Sequence, residues 1–383
     1  MIITLIVDSY NDKTNGTTMT TRRFAEILMQ HGHTVKIAAS TVADVDDDKS
    51  FELGIRKTPV LYQVAKMQGF IFAKKNKKVI KQAIEGSDIV HFLLPFKAQI
   101  YGKKVCDKMG VASTAAFHLQ PENITSTIHL NKIQAVNDYL YRHFKKFYNK
   151  FNHIHCPSKM IADQLVMHGY KANLHIISNG VSDSFKKLDV PKPKHLQDKF
   201  VILMIGRYSV EKRQDLIIKA IQESKYESKI QLVLAGRGPW HHHLESLGSA
   251  LTNKPIFGFY DEKDLINVIN TSDLYVHASD AEIEGISCIE AFTCGLVPII
   301  SNSKISATSQ FAIDEHNRFE SGDYLSLRDK IEYYIEHPEE KAKRSEEYLE
   351  FAKKYSIDHC VKELEDVFEQ AIKEMENKKN KKA

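Results

Sequence analysis

Three carboxylates, Glu282, Glu284 and Glu290, crowd around Gly285 in the stretch AEIEGISCIEAFTCGLVP, directly after the apolar run DLYVHAS. Carboxylates accept hydrogen bonds well from vicinal diols, which sugars and ribose supply. They do not bind phosphate, so a phosphorylated ligand must be met by other groups. Arg207 and Lys212 follow the apolar run VILMIG, and two fixed cations there suit a diphosphate. The amides around Ile286, Ser287 and Cys288 open a short helix stopped at Gly295, and a helix N-terminus attracts an anion. Gly16 and Thr17 open another helix after the first apolar run. Taken singly, each feature also reads as surface polarity or an ordinary turn.

Such groups need a scaffold. The chain has 383 residues, 43% hydrophobic and 27% charged, with a formal net charge of +4. That composition is globular, and the length exceeds one ordinary core. No apolar run approaches the ~20 residues that span a bilayer. The N-terminal MIITLIVDSY reads as a strand, not a signal peptide. Five cysteines (Cys106, Cys156, Cys288, Cys294, Cys360) are widely spaced and form no CxxC, which predicts reduced thiols in a cytoplasmic protein. Strands are predicted at IITLIV, TVKIAA, DIVHFLL, VASTAAF and HIHC, then at KFVILMIG, IQLVLAG, DLYVHAS and VPIIS. Helical patterns separate them, so the fold class is α/β: two Rossmann-like, doubly wound parallel-sheet domains facing across a cleft. The series restarts at Phe200 after the polar DSFKKLDVPKPKHLQDK. The expected division is residues 1–184, a linker at 185–199, a second domain at 200–356, and a C-terminal helix with a basic tail at 357–383. That helix is predicted from Ile357 to Glu376 and can return to the first domain; the tail NKKNKKA is expected to fray.

GxxxxGK[ST] and GxGxxG are absent, which argues against a P-loop kinase or a standard dinucleotide dehydrogenase. The run HHH at His241 to His243 lacks helical or sheet ligand spacing and reads as a polar loop. DVDDDK, from Asp44 to Lys49, reads as a solvated loop, and no metal is expected to be required.

Glu282 and Glu290 stand in an E-x7-E spacing, and IISNGV, GRYSVEKR, LAGRGPW and DEHNRFESGD occur in order along the chain. This ordered set resembles the retaining glycosyltransferases of family four, which have the GT-B fold. The resemblance covers nearly the whole chain. Thr17 stands where many members have a second glycine, and EIEGIS replaces the usual E-G-F-G. Glu282 and Glu284 are therefore both candidates for the first acid, with spacing favouring Glu282. The resemblance implies that Arg207 and Lys212 hold the donor diphosphate, that Glu290 binds ribose, and that Glu282 contacts the transferred sugar. It places Gly16, Thr17, Gly236 and the amides of Ile286, Ser287 and Cys288 around the donor. It also puts His118, in AAFHLQPENIT, near the anomeric centre; by its residues alone His118 reads as a core histidine. Retention would need no protein nucleophile and no cofactor beyond the donor substrate, expected to be UDP-glucose.

No acid lies between Glu52 and Glu85, while Arg56, Lys57, Lys66, Lys74, Lys75, Lys77, Lys78 and Lys81 do, among Leu61, Tyr62, Phe70 and Phe72. A second basic, aromatic segment is YLYRHFKKFYNKF. Such segments suit an anionic membrane surface, at about 1 kcal/mol per basic group; solvated lysines or a nucleic-acid surface are the competing readings. No recognised nucleic-acid motif is present. FHLQPENIT, NDYLYRHF and HIHCPSKMIADQL resemble the diacylglycerol glucosyltransferases of Gram-positive bacteria. The implied protein is a hexosyltransferase on the inner face of the cell membrane, with a lipid acceptor. A polysaccharide or teichoic-acid transferase shares the donor motifs. An epimerase of the same fold and a non-enzymatic surface-binding module are more remote alternatives.

Overall fold

The computed structural model describes residues 1–11, 16–43, 45–46, 48–57, 71–126 and 133–381. Asp44 and Asp47 of DVDDDK, and Lys66 of the basic window, lie outside them. The described residues of 1–121, 133–180 and 357–383 form one compact unit, and those of 122–132 and 181–356 form another.

The first unit holds a seven-stranded sheet of order β3-β2-β1-β4-β5-β6-β7. Its strands are β1 (Ile2–Ile6), β2 (Thr34–Ala39), β3 (Ser50–Glu52), β4 (Ile89–Phe92), β5 (Ala112–Ala116), β6 (His153–Cys156) and β7 (Asn173–Ile176). Every pairing is parallel. The central strands β4 and β6 are buried throughout, as a sheet covered on both faces requires, with His91, His153 and His155 set among their apolar residues. The short edge strands β3 and β7 carry polar, half-exposed residues, so apolar patterning does not reveal them.

The second unit holds a six-stranded sheet of order β10-β9-β8-β11-β13-β15. It comprises β8 (Phe200–Ile205), β9 (Ile230–Ala235), β10 (Ile256–Gly258), β11 (Leu274–His277), β13 (Pro298–Ser301) and β15 (Arg318–Phe319). Two further short strands, β12 (Ala281–Glu282) and β14 (Ile305–Ser306), pair beside it. Again all pairings are parallel. In this sheet β8 pairs with β9 on one side and β11 on the other. Chain order therefore reverses at β8, and the crevice beyond the carboxyl ends of β8 and β11 is a topological switch point. Within 185–199, Phe185 and Leu196 are buried in this unit's core.

The helix Ile357–Asn380 packs on the first unit. Its buried face is Ile357, Cys360, Val361, Leu364, Val367, Phe368 and Ala371, a stripe at helical spacing. His31 meets Asp358 at 2.9 Å and Glu365 at 2.8 Å, and His33 meets Glu365 at 3.0 Å. Two expectations are corrected here. The tail does not fray at its start, since the helix runs on through Asn377 to Asn380. His241 to His243 open the helix His241–Gly248 instead of forming a loop, and the His241 ring lies 4.7 Å from that of Phe257. That aromatic contact gives the run a packed face. All five cysteines are free and buried.

Candidate active site

In the second unit, the loops after β8 and β9 are fastened together. The Gly206 amide donates to Ala235 O at 2.9 Å, the Tyr208 amide to Arg237 O at 3.2 Å, and the Trp240 amide to Tyr208 O at 3.1 Å. A Cβ at Gly236 would stand 2.0 Å from Gly206 O, and one at Gly238 2.4 Å from Tyr208 O. Both glycines of GRGP therefore make room for neighbouring backbone. The fastened loop presents Arg207 and then the short 3-10 turn Val210–Lys212. Arg213 takes the left-handed conformation, φ 54°, and its guanidinium faces Asp215 at 3.1 Å and Asp280 at 3.3 Å. The Asp280 amide donates to Glu211 O at 2.8 Å, tying this turn to the segment that follows β11.

That segment delivers Glu282, held by the β12–β14 pairing. Lys212 Nζ donates to Glu282 Oε1, and His277 Nε2 lies 3.2 Å from the same oxygen. Tyr275 Oη lies 3.0 Å from His277 Nδ1 and donates to Ser287 Oγ at 3.1 Å. A polar chain thus runs Lys212–Glu282–His277–Tyr275–Ser287. Burial alone would raise the Glu282 carboxyl; the Lys212 charge and the His277 hydrogen bond overcome it and hold the group well below the usual carboxylate range. The Lys212 and His277 contacts go to Glu282, which distinguishes it from Glu284. Glu284 is buried, at 2% exposure, two residues further on.

Gly285 starts the helix Ile286–Thr293 with φ 88°, and a Cβ there would stand 2.2 Å from Thr308 Cγ2. Only glycine suits this turn. Among the three amides expected to face an anion, that of Cys288 donates to Gly285 O at 2.9 Å. Those of Ile286 and Ser287 precede it in the first turn, where a helix offers no carbonyl. Glu290 lies one turn along and is buried. His277 and Tyr275 went unread in the sequence; the alternation of polar with apolar residues in DLYVHAS at a strand's carboxyl end is the signal that could have exposed them.

Gly16, Thr17 and His118 lie in the first unit. Gly16 is exposed at the start of the helix Gly16–Gln30, and a Cβ there would meet nothing within 4 Å. His118, just past β5, is buried, and its ring centre lies 5.3 Å from that of His155. Burial, with His155 and His91 nearby, keeps it neutral, well below the ordinary histidine range. Its Nε2 has no hydrogen-bond partner among the described residues.

In the basic window, Lys57, Lys74, Lys75, Lys77, Lys78 and Lys81 are exposed and Arg56 is half-buried. The helix Lys77–Ile84 turns Ile80, Ala83 and Ile84 inward, so its lysines face out. The second segment differs from its expected character. Tyr141, Phe144, Phe147, Tyr148 and Phe151 are core residues, while Tyr139 is 60% exposed beside exposed Arg142 and Lys146. Its aromatic content serves packing first. Among the described residues no helix is long and apolar enough to cross a membrane.

Residues 185–381 match the family described as glycosyl transferases group 1, and residues 14–185 match glycosyltransferase family 4. The chain is 24% identical over 318 residues to the alpha-monoglucosyldiacylglycerol synthase of Streptococcus pneumoniae, covering 79% of this chain and 71% of that one. It is 23% identical over 331 residues to an uncharacterized glycosyltransferase of Methanocaldococcus jannaschii, covering 84% and 88%. Among solved structures, Anabaena Alr3699/HepE in complex with UDP-glucose superposes with a TM-score of 0.76 at 16% identity, covering 97% of this chain and all of that one. That likeness shows the fold, GT-B.

Proposed function

The chain belongs to the group 1 glycosyl transferases, with a family 4 N-terminal half, and from that premise we propose that it moves a hexose, glucose from UDP-glucose, with retention, to a membrane lipid such as diacylglycerol or a monoglycosyl-diacylglycerol. The observation that carries the donor reading is the charged Glu282 held by Lys212 and His277 beyond the carboxyl ends of β8 and β11. The relative that makes alpha-monoglucosyldiacylglycerol supports the lipid acceptor.

In this reading residues 200–356 bind the donor and residues 1–184 take the acceptor and the membrane. Arg207 and Lys212 neutralise the diphosphate as the bond to the sugar breaks. Pre-placed cations act most strongly where water is excluded, and one such contact is worth about 3 kcal/mol in the transition state. Glu282 holds Lys212 in place and accepts from sugar hydroxyls; Glu290 accepts from ribose. The open first turn at Ile286 and Ser287 offers amides to the donor. From the first unit, His118 donates to the transferred sugar, and Gly16 and Thr17 face the diphosphate. The acceptor hydroxyl attacks on the face the diphosphate leaves and gives up its proton to it. The exposed lysines around residues 74–81 dock the protein on the anionic inner face of the cell membrane.

The test is transfer of labelled glucose from UDP-glucose to diacylglycerol in mixed micelles, with product analysis and anomeric assignment. Lys212→Ala and Glu290→Ala should each lower turnover at least about 100-fold. Turnover of both variants at the parent rate would end the donor-site reading. Transfer to a soluble glycan in place of lipid would end the lipid assignment, and epimerised donor formed without acceptor would end the transferase reading.

A further inference from the structure

The first unit has a pocket at the opposite edge of its sheet from the carboxyl ends, where β5 and β6 begin. Its volume is about 400 Å³, and Ser113, Asn152, His153 and the terminal helix line it. Four lysines reach it, Lys103, Lys150, Lys378 and Lys379, against two carboxylates, Asp107 and Glu374. Both carboxylates are engaged locally. Lys103, 6% exposed, donates to Asp107 and lies 5.3 Å from the Phe151 ring centre. Glu374 accepts from Asn152 Nδ2 at 2.8 Å and lies 3.2 Å from His153 Nε2. His153 is fully buried, with its Nδ1 3.0 Å from His175 Nε2.

The ammonium groups of Lys150, Lys378 and Lys379 have no ion pair or hydrogen bond among the described residues. They come from two separate parts of the chain, and the stem of Lys379 passes close over backbone. Gly110, with φ 69°, ends the helix Lys97–Met109, and a Cβ there would stand 2.8 Å from Lys379 Cε. The lysine stem thus lies directly over the glycine. All three lysines are exposed, and their like charges at one concave site favour the entry of a counter-charge. Phosphate oxygens supply several charge-assisted acceptors at once. The donor residues proposed from this unit, Gly16, Thr17 and His118, follow the carboxyl ends of β1 and β5, so this pocket at the amino edge is separate from them.

We propose that this pocket binds a phosphate-bearing anion, free or as a lipid headgroup, between Lys150, Lys378 and Lys379, and so ties the terminal helix to the amino edge of the first sheet. Hydrogen exchange on the full chain tests it, with inorganic phosphate against sodium chloride at equal ionic strength, and with vesicles of phosphatidylglycerol against phosphatidylcholine. Saturable slowing is expected in residues 103–113, 150–153 and 371–379. Each of Lys150→Gln, Lys378→Gln and Lys379→Gln should weaken it about tenfold. Asp107→Asn, which removes a repelling charge and releases Lys103, should strengthen it. Protection by phosphate alone assigns a free anion, and protection by phosphatidylglycerol vesicles only assigns a headgroup. No saturable protection from either source, protection confined to residues 206–213 and 282–290, or protection unchanged in the three lysine variants would overturn the proposal.

Discussion

Glu282 is ionised in a place where burial alone would neutralise it, and the reason is local: Lys212 and His277 converge on one oxygen. Glu282→Gln removes the charge but keeps the shape, leaving Lys212 without its partner. The expected cost is on the order of 2 kcal/mol of second-unit stability, below the figure for a wholly buried pair because solvent reaches this one. Turnover should fall about 100-fold, since Lys212 loses its anchor; urea unfolding and the transfer assay read the two effects separately. The buried histidines of the first unit behave in the opposite sense. Burial pushes His155 down to about 4, so between pH 6.5 and 4 the unfolded chain takes up a proton that the folded chain refuses. Stability from this group is complete above pH 6.5 and is lost as pH falls toward 4, by about 3 kcal/mol at most. Asp8, pushed up to about 7 by burial, opposes the trend, because folding favours its protonated form as pH falls below 7. A comparison isolates the histidine: His155→Gln should flatten the stability-against-pH curve between pH 6.5 and 4.5, and an unchanged slope would refute the assignment.

At the scale of elements, glycines separate into those the backbone requires and those it does not. Gly238→Ala drives a Cβ into the Tyr208 carbonyl, which cannot rotate away, and should cost about 3 kcal/mol. Gly16→Ala meets open space and should leave stability within about 0.5 kcal/mol. Thermal unfolding of both variants checks the contrast; any loss of transfer in Gly16→Ala would then report on the ligand. The same distinction explains what could be read beforehand. The nine inner strands announce themselves as mostly apolar runs between helical patterns, and Glu282, Glu290, Arg207 and Lys212 by their types and order. The edge strands β3, β10 and β15 are only two or three residues long, and β7 is half polar, so they do not stand out. His277 and Tyr275 were hidden because in a strand they look like ordinary core residues; only the fold shows that they meet Glu282 and Ser287. The aromatics of residues 139–151 misled in the other direction: composition suggested a membrane face, and helical spacing put five of them inside.

Across the whole molecule, the terminal helix belongs to the first unit although it follows the second in sequence. Phe368, fully buried, sits with Leu93, Ala116 and Leu364 in the core cluster it completes. Phe368→Ala should cost about 3–5 kcal/mol. Hydrogen exchange should show the loss in β5 and its neighbours while the second unit keeps its protection; a loss spread equally over both units would contradict that division. This placement also sets a timetable for synthesis. The first sheet leaves the ribosome early, yet its apolar face stays uncovered until residues 357–371 have emerged, after the whole of Val181–Ser356. At the pace of translation that delay is tens of seconds, during which the nascent chain shows an unfinished core to chaperones and proteases. The half made first is therefore the half that finishes last.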